Sequence, residues 1–197
     1  MKQIIYFSLA ALLLLFAYVV FRIIVRRSYI ERGQLSTLSS SLQLLVFLGF
    51  FWFPYLYNPP EWGWFWIANP SIPLGLHTFG LLLVCIGILG AFGIMGWFGI
   101  KRAFGITNDR LKKTGPYRFS RNPQILGGYL LVLGTTFQWL SLYMVGWLAI
   151  YAIIAHWMIL TEEEHLRRIF GEEYVKYCSE VPRYLLSRKK KNKMVSK

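Results

Sequence analysis

The chain has 197 residues, of which 55% are hydrophobic and 18% aromatic, and it carries a formal net charge of +13. A single soluble domain of this length builds its core from far fewer apolar residues, so the composition argues against a soluble protein. Two cysteines without metal-ligand spacing exclude a zinc module, and their number excludes a dense disulfide framework.

The apolar residues fall in runs, and the runs define the elements. Ile4 to Val25 carries one charge, Arg22, near its end. Leu42 to Tyr57 carries none, and neither does Ser71 to Ile100. Gln124 to Leu160 lacks Lys, Arg, Asp and Glu and is long enough for two crossings. Since a helix needs about 20 residues to cross the hydrocarbon layer, the sequence predicts an all-α polytopic membrane protein with about five spans. The last two turn about Gln138 to Val145. The first run is followed by Arg26-Arg27 rather than a small-residue cleavage site, so it is expected to stay as an anchor.

Charge follows this topology. With five spans, every one of the 22 Lys and Arg residues except Lys2 falls on one side. The positive-inside rule makes that side cytoplasmic and places the amino terminus outside. Attraction to anionic lipid, worth about 1 kcal/mol per basic residue near the surface, accounts for the excess. No nucleic-acid partner is expected. Tyr57 to Trp66 reads as an aromatic belt on the outer face. Gly87, Gly90, Gly93, Gly96 and Gly99 form a stripe suited to close helix packing in lipid.

After span five, Thr161-Glu162-Glu163-Glu164 has the form of a capping box, so the chain either breaks there into a cytoplasmic helix or runs on as one continuous helix. Leu166, Ile169, Phe170, Tyr174 and Tyr177 recur at helical intervals, predicting an amphipathic helix across Gly171 that Pro182 ends.

Polar residues meet the membrane boundary at two places. Gly115-Pro116 is a turn signal, and Asn122-Pro123 puts a proline at the first turn of span four. That helix start, with Arg118 and Arg121, suits an anionic group. Glu162 and Glu163, at the end of span five, suit a cationic one. The two together fit a zwitterion such as an amino acid. The same residues would equally form a salt-bridged cap without a ligand.

Three segments resemble one family: Gly115-Pro116-Tyr117-Arg118-x-x-Arg121-Asn122-Pro123-Gln124; Glu162-Glu163-x-x-Leu166-x-x-x-Phe170-Gly171-x-x-Tyr174-x-x-Tyr177; and Val181-Pro182-Arg183. These look like the isoprenylcysteine carboxyl methyltransferase and phospholipid methyltransferase family of integral membrane enzymes, over about Phe98 to Tyr184. The resemblance implies S-adenosyl-L-methionine as cofactor, a cytosol-facing cofactor pocket and a lipid-accessible acceptor channel. Carried over by position, it implies cofactor contacts from Asp109, Arg110, Leu111, Lys112, Tyr117, Asn122, Pro123, Gln124, Ile125 and Glu162. Glu163, Arg118 and Arg121 are the candidate catalytic residues, with His156 and His165 as further candidate bases. No metal ligands are expected. The implied division is membrane helices one to three (residues 1–100), a catalytic half (101–186) and a basic tail (187–197).

Three positions depart from the family pattern. Asn122 and Ile125 stand where the family has histidine and tyrosine, and an asparagine amide cannot titrate. Met158 stands four residues before the first glutamate, where the carboxyl methyltransferases carry an arginine, and a thioether cannot pair a carboxylate. The expected activity is therefore methyl transfer to a lipid-soluble or lipid-linked acceptor such as an isoprenylcysteine carboxylate. A phospholipid amine or small thiol is an alternative acceptor. A membrane reductase with a nicotinamide cofactor and a non-catalytic membrane protein are the alternative functions.

Overall fold

The computed structural model describes residues 2–57, 71–98 and 111–185. The predicted outer aromatic loop, the first ten residues of the loop after span three and the basic tail lie outside them. Among the described residues the fold is five long helices with no strand. Helix α1 runs as one rod, Lys2–Arg32, in which Lys2–Tyr18 and Arg26–Arg32 are joined by a π-helical stretch, Val19–Val25. Helix α2 is Thr37–Tyr57, α3 is Leu74–Ile88 continued through a second π-helical stretch, Leu89–Gly93, into Ile94–Phe98, α4 is Pro123–Gln138, and α5 is Leu142–Glu180. A single 3₁₀ turn, Gly115–Arg118, precedes α4.

The expected hairpin between the last two spans is present: α4 stops at Gln138, and Ser141 caps α5 by accepting from the Met144 N–H at 3.2 Å. Four of the five helices are long and apolar enough to cross a membrane. The other, α4, has 16 residues, short of the roughly 20 a crossing needs, and its sides are covered by α3 and α5. The chain is an all-α polytopic membrane protein.

Close packing of α3 on α4 explains the glycine stripe and also limits it. A Cβ on Gly87 would strike the Leu131 N–H and stand 2.7 Å from the Gly127 carbonyl oxygen, and one on Gly80 would lie 2.7 Å from the Gly134 carbonyl oxygen. Neither backbone can give way, so these positions hold the two helices together by van der Waals contact. Gly93 and Gly96 face open space and belong to no interface among the described residues.

Helix α5 does not restart at Thr161. It continues through, because the Thr161 hydroxyl donates to the Phe21 carbonyl at 3.0 Å and accepts from Arg22 Nη1 at 3.1 Å instead of capping. Its break comes at Gly171, whose φ of 48° and ψ of −125° are open only to glycine. That kink swings Tyr174 and Tyr177 back over the loop before α4, where Tyr177 Oη donates to the Tyr117 carbonyl at 2.7 Å.

Candidate functional site

A cavity of about 330 Å³ lies between α1, α2 and the π-helical part of α3 on one side and α4 and α5 on the other. Both π-helical stretches contribute to it, through Phe21 and Val25 and through Ala91 and Phe92. A π turn widens a helix locally and recurs where a wall must depart from regular packing. Among the described residues α3 packs extensively on α4 and has no comparable packing on α1 or α2, so among them the cavity is open between α2 and α3. Leu44, Phe51 and Phe92 line it while being exposed on the outer surface, which places the opening at lipid.

The polar end is built around Glu162. Only the apolar part of the 39-residue α5 is needed to cross a membrane, and Glu162 stands beyond its last apolar residue, Leu160. Its carboxylate borders the cavity and has no hydrogen bond or ion pair among the described residues. Packing encloses the group while leaving it accessible from the cavity. This burial first, and the neighbouring Glu163 charge second, push its pKa up to about 7. Tyr29 of α1 lies within its electrostatic reach. So does Tyr117, whose phenol is raised by burial first and the Glu162 charge second.

The next residue has the opposite surroundings. Glu163 is 4% exposed. It accepts from Arg183 at 3.1 and 2.7 Å in a bidentate pair and meets Arg121 Nη1 at 3.2 Å. Arg121 also contacts the Cys178 sulfur. This geometry occupies Glu163 and Arg121 with each other and with Arg183, leaving neither facing the cavity as a free base or a free anion receptor. Arg183 is held in turn by its own backbone: its carbonyl accepts from Ser120 Oγ and Asn122 Nδ2, both at 3.2 Å, and the adjacent Pro182 carbonyl accepts from the Arg121 N–H at 2.9 Å. The Val181-Pro182-Arg183 segment is a strap across the loop.

The remaining expected residues divide between cavity and support. Gln124 and Ile125 line the cavity, and Tyr117 reaches it by donating to Gln124 Oε1 at 3.0 Å. Asn122 and Pro123 are buried and start α4. Leu111 packs against Tyr174, Tyr177 and Val181, and Lys112 lies on the same loop. Arg118 is exposed on the 3₁₀ turn. Asp109 and Arg110 lie outside the described residues. His165 is buried and stacked on Tyr29 at 3.8 Å, and burial first, then Arg168, holds its pKa down to about 4, so it is neutral at pH 7. His156 is exposed, with Nδ1 3.4 Å from Tyr184 Oη.

The helix start of α4 is largely satisfied from within. The Ile125 and Leu126 N–H groups both bond to the Asn122 carbonyl, at 3.1 and 3.2 Å, which leaves little of the anion site expected there. Tyr29 and Gln43 were not singled out in the sequence. Gln43 had a signal, as a polar residue in the otherwise apolar run that opens span two. Tyr29 had none, because it sits among charged residues after span one.

Among the described residues, the site is thus an apolar, lipid-facing cavity ending at an unpaired carboxylate in a helical membrane protein. The phospholipid methyltransferase family matches residues 72–173, which is 102 of the 197 residues, and the chain belongs to that family. No curated protein and no solved structure matches the chain.

Proposed function

We propose that this protein transfers a methyl group from S-adenosyl-L-methionine to a lipophilic acceptor that enters from the bilayer between α2 and α3. The observation that carries the reading is Glu162, an unpaired carboxylate at the inner end of an otherwise mostly apolar cavity. Burying such a group without a partner is costly, and a cationic ligand relieves the cost. S-adenosylmethionine brings an activated methyl on positive sulfur and a second cation in its amino group.

In this reading Glu162 holds the cationic part of the cofactor. Tyr117 and Gln124 form the adjoining wall, and Asn122, Pro123 and Ile125 set its position. The loop residues Asp109, Arg110, Leu111 and Lys112 border the cofactor by the family resemblance. Arg118 is the exposed cation that meets an anionic group at the rim. Glu163, Arg121 and Arg183 act as positioning residues that hold the loop against α5. Residues 101–186 thus form the catalytic half, facing the cytoplasm, with the amino terminus outside. The chain's task is orientation and exclusion of water, which together are worth several kcal/mol (about 7 or more for well-aligned reactants).

Calorimetric binding of S-adenosylmethionine and its demethylated product to the detergent-purified chain tests this. Micromolar binding to the wild type, weakened in Glu162→Gln and in Tyr117→Phe, is the expected result. No binding to a folded sample overturns it.

A further inference from the structure

The cavity's lining says what kind of acceptor head it takes. Its polar members among the described residues are Tyr29, Gln43, Gln124, Tyr151 and Glu162, and no Lys, Arg or His is among them. Three of these have other duties. Gln124 accepts from Tyr117 on its Oε1, Tyr151 Oη donates to the Ile125 carbonyl at 3.3 Å, and Tyr29 is stacked on His165 with its phenol within reach of the Glu162 charge. Glu162 is assigned above to the cofactor. Gln43 is the lining amide with neither its donor nor its acceptor hydrogen-bonded among the described residues, and it borders the cavity. It sits six residues into α2, about 9 Å from the helix start, among Leu44, Phe47 and the α1 side chains Phe21 and Val25. Met158, one turn before Glu162 on α5, faces the same space.

An amide offers both a donor and an acceptor. A hydroxyl has the same pair of functions and satisfies both. A carboxylate or phosphate has no cation to meet in this lining, and would stand beside Glu162. Desolvating such an anion without a partner is the costliest option for the cavity.

We propose that Gln43 is the acceptor-reading residue of this site and that the site takes an uncharged, hydroxyl-bearing apolar acceptor, an alcohol or phenol, in preference to a carboxylate. On transfer the sulfonium S–CH3 bond breaks as the O–CH3 bond forms, and the hydroxyl proton passes to the Glu162 carboxylate in the same cavity. This rests on the methyltransferase reading above. The specificity device lies in α2, outside the family-matched residues 72–173. Span two therefore supplies a polar acceptor contact that the family segment does not. Met158 keeps the α5 wall apolar and leaves an anionic head without a charge partner.

The test uses two probes with one isoprenoid body, farnesol and farnesoate, competing for the full chain in nanodiscs at pH 8. Binding of demethylated S-adenosylmethionine is measured on the same samples. The expected result is a preference for farnesol of about tenfold or more. Gln43→Leu should reduce that preference to roughly twofold, and Gln43→Glu should retain farnesol while rejecting farnesoate further. Met158→Arg should shift the preference toward farnesoate by about tenfold. Cofactor-product binding should stay unchanged in both Gln43 variants. Equal or tighter binding of farnesoate by the wild type overturns the proposal while the methyltransferase reading stands. A preference that survives Gln43→Leu in a folded sample removes Gln43 from the role. Loss of cofactor-product binding in the wild type overturns the underlying reading, and the proposal with it.

Discussion

Glu162 and Glu163 are neighbours in sequence and opposites in energetics, which makes their substitution a demanding test of the site. Consider Glu162→Gln. In the folded protein the carboxyl pKa moves from 4.5 to about 7, which corresponds to about 3 kcal/mol against the ionised form. The side chain retains access to the cavity, so screening reduces this to about 2 kcal/mol. The sign follows from linkage. As pH rises above 4.5 the unfolded chain ionises first, and the folded state loses stability until its own carboxyl ionises near 7. Above that the cost is fully present. Glutamine keeps the shape and removes the charge, so at pH 8 the variant should melt higher than the wild type by roughly 4–8 °C for a chain of this size. At pH 4.5 the two should nearly coincide. The same variant should bind S-adenosylmethionine about 10–100-fold more weakly, because a charge-assisted contact of about 1.5–3 kcal/mol is lost. Thermal melts in detergent at both pH values, with calorimetry at pH 8, measure this. A pH 8 melt at or below the wild type, or undiminished binding, refutes the assignment of Glu162 as an unpaired ligand carboxylate.

Glu163→Gln should do the reverse and lower the melting temperature at pH 7 by roughly 6–12 °C, since removing one member of a buried pair costs about 3 kcal/mol. Arg121, its deeply buried partner, has a side chain only 10% exposed. An unchanged melt would mean that the strap is not held by this pair. Wild-type affinity for S-adenosylmethionine should rise by about tenfold between pH 6 and pH 8 as Glu162 ionises, with a proton released on binding at the lower pH. Calorimetry in buffers of different ionisation enthalpy reads that proton, and a flat profile contradicts the assignment. Gly127→Ala should lower the melting temperature markedly, because its methyl would strike the Ala91 backbone N–H, whereas Gly93→Ala and Gly96→Ala should shift it by no more than about 2 °C. Equal effects at the three positions would place the helix contact elsewhere.

The helical plan was legible because the apolar runs and the absence of charge within them are governed by the bilayer alone. The hairpin at Gln138 to Ser141 was visible for the same reason. The short α4 and the π-helical stretches were not, since both depend on how neighbouring helices pack and leave no mark in hydropathy. Tyr117, Gln124 and the two glutamates were recognisable from motif spacing. Their unequal roles were not, because the difference between Glu162 and Glu163 lies in which side of one helix turn meets Arg121 and Arg183. The sequence left a break and a continuous helix both open at Thr161, and the contact that favours continuity, its hydroxyl on the Phe21 carbonyl, lies 140 residues away in sequence.

That long-range contact belongs to a wider arrangement in which α1 is clamped to α5 at the polar end. Glu164, the third of the run, accepts from Arg22 at 2.8 Å and from Arg26 at 2.7 Å. Three successive carboxylates therefore point three ways. Glu164 ties α5 to α1, Glu163 ties it to the loop and strap, and Glu162 faces the cavity between them. Helical geometry makes this unavoidable, because successive residues are about 100° apart around the axis. A run of three carboxylates is thus the shortest sequence that anchors two neighbours and still presents a charge to a ligand lying between them. Arg22 lies within, and Arg26 directly follows, the π-helical stretch that carries Phe21 and Val25 into the cavity. The clamp that fixes α1 to α5 therefore also fixes the α1 wall of the cavity against Glu162.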